Sequence, residues 1–367
     1  MFKFGTSGIR DLTKNLLKDQ VATQLAQKLY QMGWRELSLG RDGRKGSDKL
    51  QSEFTKNFPG KIYNYGITTT PMLSAQPGLA VMITASHNPS EYCGFKVFLN
   101  HQEQSTAEIT PAPCYQKWQL LPKDIVIDCA NGGLGHQLKI LGFTNIINNK
   151  GLINHHCGAN HTESLVRHCQ ENHLDIGFAV DGDADRFAMY LGNRILTSDE
   201  VTYLIVKLRR FSTIVVDETV NSGLSDHCQI IRSQVGGHAV IAAMQANSVE
   251  FGAENSGHYY FDRNISTSDA VDAMVLFSNA YHTMGASGLL KLLKQYHPYS
   301  QLHQSIPTAQ LPTNYNEILS QLILPKGVRR IIRPSGTEPL LRVMLESKKP
   351  HLIDKAWSIV IDALQTK

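Results

Sequence analysis

Short apolar runs, strand-like in length and rich in β-branched residues, recur along the chain, and each ends in a polar, glycine-rich loop. Ser38–Gly40 leads into GRDGRKG, Leu79–Ile83 into TASHNPSEYCG, Ile125–Ile127 into DCANGG, Ile176–Val180 into DGDADR, Ile214–Val216 into DETVNSG and Val249–Phe251 into GAENSGH. Helix-like stretches lie between, at Lys18–Met32, Ser164–Asn172, Ser198–Arg209 and Ser268–His282. Strands alternating with helices predict α/β layers with mainly parallel sheets. In such sheets ligands bind beyond the carboxyl ends of the strands. The polar loops all lie at that end, so several α/β units should point them at one cleft. The tail from about residue 300 holds one glycine loop (Arg333–Pro339), a strand (Leu341–Leu345) and a helix (Leu352–Leu364), and reads as a small α+β domain.

Boundaries follow the punctuation: TPAPCYQKWQLLP around Thr110–Pro113 and Pro122, the stretch near Leu196–Ser198, and the Pro/Gln/His-rich Tyr296–Pro312. They divide the 367 residues into expected domains 1–120, 121–197, 198–298 and 299–367. Composition adds little: 42% hydrophobic and 19% charged residues are ordinary for globular chains. The net charge of +4 is spread along the chain. That argues against a nucleic-acid-binding arm but not against an anionic small substrate. No apolar run approaches the roughly 20 residues of a membrane span. The start, MFKFGTSGIRD, lacks the regions of a signal peptide, so the expected location is the cytoplasm. Six cysteines without a CxxC pair read as reduced thiols. His155, His156, Cys157 and His161 do not match structural-zinc spacing and read as loop residues.

Several loops carry chemistry. Asp181, Asp183 and Asp185 alternate in DGDADR. Three carboxylates so close repel unless a hard cation such as Mg²⁺ neutralises them. An EF-hand is excluded, because its Gly and Glu positions hold Arg186 and Gly192. TASHNP offers Ser86 as a nucleophile or phosphate carrier, or else a turn made by Asn88-Pro89. RPSGTEP offers Arg333, Ser335, Gly336 and Thr337 as an anion cradle, with Arg342 as a second fork, or else a simple turn. GAENSGH sets Glu254, Asn255, Ser256 and His258 on a glycine loop suited to a polyol. FGTSGIR and GRDGR place Arg10 and Arg44 beside glycines, where with Ser86 they would surround a phosphate.

In their order, FGTSGIR, TASHNPSEYCGFK, DGDADR, GAENSGH and RPSGTEPLLRV resemble the signature loops of the α-D-phosphohexomutases across nearly the whole chain. The resemblance implies three α/β mixed-sheet domains and a C-terminal TATA-binding-protein-like α+β domain around a central cleft. It implies an intramolecular phosphotransferase that interconverts hexose 6- and 1-phosphates through phosphorylated Ser86 and a bisphosphorylated sugar, with hexose 1,6-bisphosphate as activator. Ser86, Asp181, Asp183 and Asp185 would hold Mg²⁺. Arg10, His87 and Lys96 would assist beside the phosphoserine, with His258 near the reacting centre, and the general base would be Lys96, His87 or His258. Arg186, His238, Glu254, Asn255 and Ser256 would contact the sugar phosphate. Arg333, Ser335, Gly336, Thr337 and Arg342 would hold the non-transferring phosphate. A sugar phosphate is the expected partner, with neither nucleic acid nor membrane, and a homodimer is compatible with the family.

GAENSGH, the CGA segment Cys157–Ala159, STSDAVDAM and SGTEPLLRVML are similar to the phosphoglucosamine mutases. FGTSGIR and VGGHAV lean toward the phosphomannomutase/phosphoglucomutase branch, because the glucosamine branch usually carries Asp at Ser7 and Asp-Arg at Gly237-His238. Glucosamine phosphate is the expected substrate and mannose or glucose phosphate the alternative. The segment from Lys96 to Pro122 is short for the family, and Asp48–Thr68 looks abbreviated. A non-catalytic sugar-phosphate-binding relative would explain a trimmed first domain. A phosphatase using Asp181 as nucleophile would leave the serine loop and the anion cradle without a role.

Overall fold

The computed structural model describes residues 8–99, 120–121, 123–263, 267–312, 314–334 and 339–365. Four sheets follow one another along the chain. The first comprises β1 (Ile9–Leu12), β2 (Glu36–Arg41), β3 (Lys61–Ile67), β4 (Leu79–Ile83) and β5 (Tyr92–Leu99), in the order β1-β5-β4-β2-β3. Every residue of β4 is buried, which is why its sequence is a continuous apolar run. The helix Val21–Gln31 covers this sheet with Val21, Ala22, Leu25, Ala26 and Leu29, the spacing of one helical face. The single helix expected over Lys18–Met32 is broken. Gln20 adopts a left-handed conformation (φ 51°) that separates Thr13–Lys18 from Val21–Gln31.

The second sheet, ordered β10-β9-β8-β6-β7, contains β6 (Val126–Asp128), β7 (Ile146–Ile147), β8 (Ile176–Val180), β9 (Phe187–Leu191) and β10 (Arg194–Ile195). The third, ordered β12-β11-β13-β14, contains β11 (Thr213–Asp217), β12 (Gln229–Ser233), β13 (Gly252–Ala253) and β14 (Tyr259–Tyr260). The strand expected at Val249–Phe251 therefore begins later, at Gly252. Val249 and Phe251 are buried in the core ahead of the ladder. The helix expected to end at His282 runs on to Leu293, with non-helical backbone at Gly285.

The first three sheets are mixed rather than mainly parallel. In each, parallel pairs are followed by an antiparallel return: β4 to β5, β8 to β9 and β13 to β14. Connections at 84–91, 181–186 and 254–258 are too short for the crossover that parallel neighbours require. These three connections are the serine, aspartate and sugar loops, so the chemistry-bearing residues occupy one equivalent position in three successive units. The expected shortening between Lys96 and Pro122 falls largely outside the described residues. Asp48–Thr68 holds most of the helix Ser47–Asn57 together with β3.

The fourth sheet is antiparallel, ordered β15-β17-β16, with β15 (Ser300–Pro307), β16 (Val328–Pro334) and β17 (Leu340–Ser347). Ile353, Ala356, Val360 and Leu364 of the helix His351–Gln365 pack on it. Among the described residues no helix is long and apolar enough to cross a membrane.

A polar joint fixes the fourth unit to the third. Buried Glu346 accepts from Arg329 Nε (2.7 Å), Gln301 Nε2 (2.6 Å) and the Ser222 amide (3.0 Å). Arg329 also donates to the carbonyls of Glu218 and Val220. Asn221 exchanges hydrogen bonds with the backbone of Tyr299, and its own amide donates to Asp199 (3.0 Å). Burial pushes the Asp199 carboxyl up to about 6. Between the ordinary value of 3.8 and about 6, the unfolded chain loses this proton while the folded chain keeps it, so stability falls as pH rises through that window. Asp199→Asn keeps an acceptor for the Asn221 amide and should remove that fall. Urea melts should show the variant equal to wild type near pH 4 and more stable above pH 6; an unchanged pH slope would contradict this assignment.

Candidate active site

Beyond the end of β4 the chain turns sharply. Ser86 is almost fully buried and has left-handed backbone (φ 52°). Its amide donates to Thr84 Oγ1 (2.8 Å), and the Thr84 hydroxyl donates to Asp42 (2.6 Å). Ser86 Oγ donates to Asp181 Oδ2 (2.7 Å) and lies 3.4 Å from His87 Nδ1. Gly94 on β5 lets β1 approach closely, since a Cβ there would lie 2.0 Å from the Ile9 carbonyl oxygen. Arg10, the ladder partner of Gly94, is thereby brought beside the serine loop.

The aspartate loop 181–186 connects β8 and β9. Carboxylate atoms of Asp181, Asp183 and Asp185 lie within 4.8 Å of one another, the only such metal-capable group among the described residues. Lys96 of β5 donates to Asp183 Oδ2 (2.6 Å) and Asp185 Oδ2 (2.7 Å). The Thr70 hydroxyl also donates to Asp183 Oδ2, and the Thr70 amide donates to the Asp183 carbonyl (2.9 Å). Asp183 Oδ1 and Asp185 Oδ1 are buried without a hydrogen-bond partner, although His258 Nε2 stands 3.3 Å from the latter. One oxygen of Asp183 and one of Asp185 are thus paired with lysine, while Asp183 Oδ1 is unmatched and Asp185 Oδ1 faces only His258, a donor set that fits a hard cation.

The charges follow this packing. Burial, then Asp185 and Asp183, pushes Asp181 up to about 7. Burial acts to raise Asp185 too, but Lys96 and His258 outweigh it and hold that carboxyl well below the usual range. Burial opposes the cation of Lys96, yet Asp183 and Asp185 prevail and keep it charged. His87 moves the other way, down to about 4, through burial and the nearby Arg186 and Arg10 guanidiniums.

Arg10, Ser86, His87, Lys96, Asp185 and Arg186 line a cavity of about 460 Å³ together with His238, Glu254, Ser256 and His258 from the third unit. Buried Glu254 accepts from Tyr260 OH (2.7 Å) and the Gly236 amide (3.2 Å). Ser256 Oγ lies 2.7 Å from His258 Nδ1. Asn255 is exposed and outside the cavity lining; its amide donates to Asp217.

Arg44 departs from the expected substrate contact. It is buried behind the serine loop, paired with Asp42 at 2.9 Å, and it donates to the carbonyls of Ser86 (2.8 Å) and Tyr92 (2.7 Å). The aspartate two residues before it captures the guanidinium. Arg333 and Arg342 are ladder partners on β16 and β17 and are not among the lining residues. Ser7, Ser335, Gly336 and Thr337 lie outside the described residues. The His155 and His156 rings meet edge-on, and no ion-binding group forms there among the described residues. Thr70, Asp42, Asn154 and Tyr260 were not singled out in the sequence. Only Asp42, beside Arg44 in RDGR, left a readable trace.

The profile of phosphoglucomutase/phosphomannomutase α/β/α domain I matches residues 1–112, that of domain III matches 197–299, and that of the C-terminal domain matches 323–355. The chain belongs to the α-D-phosphohexomutase family. Phosphoglucosamine mutases are similar over almost their full length. That of Dictyoglomus turgidum is 26% identical, covering 98% of each chain. That of Alkaliphilus metalliredigens is 29% identical, covering 94% of this chain and 95% of the relative. The first alignment runs over 441 positions, more than this chain possesses, so that phosphohexomutase carries segments lacking here. A phosphoglucomutase/phosphomannomutase family protein of Burkholderia thailandensis shares the fold at 17% identity (TM-score 0.74, covering 100% and 98% of the two chains). So does N-acetylphosphoglucosamine mutase of Aspergillus fumigatus, solved with GlcNAc-6P and magnesium (TM-score 0.60, 17% identity, 89% and 82% covered).

The Thr70 contact gives a direct test of this phosphohexomutase site. Thr70→Val keeps the shape but removes a donor to the buried Asp183 carboxylate. It should weaken Mn²⁺ binding roughly 10-fold, read by electron paramagnetic resonance, with the thermal midpoint little changed. Unchanged Mn²⁺ affinity would show that Thr70 does not orient the carboxylate.

Proposed function

We propose that this chain is a phosphohexomutase that converts glucosamine 6-phosphate to glucosamine 1-phosphate. The observation that carries the reading is the Ser86 hydroxyl, hydrogen-bonded to the aspartate triad in a cavity where Arg10 Nε and Arg186 Nε are buried without hydrogen-bond partners. Unmet guanidinium donors beside a buried hydroxyl suit a phosphoryl group on that hydroxyl. The similarity to phosphoglucosamine mutases over almost the whole chain supports the substrate.

In this reading phosphorylated Ser86 gives its phosphoryl group to the free sugar hydroxyl. The Oγ–P bond breaks, a sugar O–P bond forms, and the hydroxyl proton passes to a ring nitrogen of His87 or His258. Lys96, expected as a third candidate, is held charged by Asp183 and Asp185 and can only stabilise charge. The bisphosphorylated sugar turns over and returns its other phosphoryl group to Ser86. Arg10 and Arg186 hold the moving group, while Glu254, Ser256 and His238 hold the sugar. Arg333 and Arg342, with Ser335, Gly336 and Thr337, hold the stationary phosphate. Mg²⁺ held by Ser86, Asp181, Asp183 and Asp185 would supply charge neutralisation at the transferring phosphoryl group. Hexose 1,6-bisphosphate primes the serine.

The same reading divides the chain at 120/121, 197/198 and 298/299, supported by four sheets that each fall within one segment. It carries with it a cytoplasmic enzyme, a homodimer being compatible, with no nucleic-acid or membrane partner. Mannose or glucose phosphate is a second reading, favoured by one observation. A Cβ at Gly237 would lie 2.5 Å from Tyr260 OH, which leaves little room for the aspartate expected there in the glucosamine branch.

A substrate panel decides between them. With Mg²⁺ and catalytic bisphosphate, ³¹P NMR should show glucosamine 6-phosphate isomerised well above mannose and glucose phosphates. Ser86→Ala should lose more than about a thousandfold in turnover. Preference for mannose or glucose phosphate would transfer the assignment to the other branch. Absence of turnover with every sugar would overturn the enzyme.

A further inference from the structure

The Ser86 carbonyl is gripped from two sides. Arg44 of the first unit donates to it at 2.8 Å, and Asn154 Nδ2 of the second unit donates to it at 2.7 Å. The same Asn154 amide reaches the Asn88 carbonyl at 3.2 Å. Asn154 is itself held in place, buried, with left-handed backbone (φ 56°) and its own amide donating to the Ala130 carbonyl at 2.9 Å. The same carboxamide nitrogen also lies against the aspartate loop, since a Cβ on Gly182 would lie 3.1 Å from Asn154 Nδ2. One carboxamide thus stands between the loop that carries Ser86 and the loop that carries the aspartates.

We propose that Asn154 is a positioning residue that sets the placement of Ser86 Oγ against the aspartate triad. The inference rests on Ser86 being the phosphate carrier. A serine in the left-handed region is held there by its surroundings, not by its own preference. The gripped carbonyl and the Oγ that reaches Asp181 share one Cα, so holding the carbonyl limits how far that Cα and its hydroxyl can shift. Both lone pairs of the buried carbonyl are used, one by each unit, so the peptide orientation is fixed only while the two units supply both donors. Asn154 is not among the cavity-lining residues, so its influence should reach the phosphoryl step and not sugar binding.

Two variants test this. Asn154→Asp keeps size and tolerance of the left-handed backbone but replaces the donor with an acceptor facing two carbonyls. Asn154→Gly removes the side chain without backbone strain. Each full-length protein would be incubated with Mg²⁺ and glucose 1,6-bisphosphate, and phosphorylation of Ser86 followed by intact mass. Both variants should phosphorylate roughly 10- to 100-fold more slowly than wild type, the scale of a misplacement near 1 Å. kcat should fall in proportion, with KM for the sugar phosphate unchanged and the melting temperature of at least one variant near wild type. Phosphorylation at the wild-type rate would overturn the proposal. So would a loss shared by KM and thermal stability in both variants, which would make Asn154 a packing residue only. A wild-type protein that takes up no phosphoryl group would instead overturn the proposed function.

Discussion

Three carboxylates buried within 4.8 Å of one another are the constraint that the rest of the molecule answers. At that separation, two unit charges repel by roughly 3–4 kcal/mol even with an effective dielectric constant near 20. No single sheet supplies the compensation. Lys96 comes from the first, the aspartates from the second and His258 from the third. The cluster is tolerable only when three units are packed together, so the same charge that suits a cation also makes the cleft between them a condition of folding. Deleting Lys96 would therefore disturb more than a proton transfer, because it would leave two buried carboxylates without their cation.

The three functional loops share an origin in topology. Each is the short return between antiparallel neighbours at the carboxyl end of a strand that also pairs in parallel within its sheet. Such a return cannot wander, so its side chains are delivered at a fixed height above the sheet. Repeating the device three times supplies a nucleophile, a charge cluster and a polyol-binding edge from separate units to one cavity. The fourth unit is joined differently, through Glu346, Arg329 and the 218–222 loop, with polar contacts that replace a shared apolar core.

The sequence was readable where local chemistry decides. β4 and β8 are continuous apolar runs because both faces are covered, and the aspartate loop announced itself because its charges are adjacent in the chain. It was silent where partners lie far apart. Thr70 meets Asp183 and Asn154 meets Ser86 only after three-dimensional packing, and neither stands in a patterned stretch. Gln20 has no composition that advertises a left-handed break. Val249–Phe251 has the burial of a strand without its pairing, because the ladder starts only at Gly252, where the backbone lies against Met244. Arg44 shows the ambiguity of arginine: glycines beside it suggest a ligand, while the Asp42 carboxylate two residues earlier claims it.

The left-handed backbone of Ser86 limits what chemistry can be substituted there. Threonine carries the same hydroxyl, yet its branched Cβ is poorly accommodated at positive φ. Cysteine and alanine lack the oxygen, and glycine, which suits the backbone best, has nothing to esterify. Among the aliphatic hydroxyls the position therefore has an alphabet of one letter, written by the shape of the turn as much as by the reactivity of the group it presents.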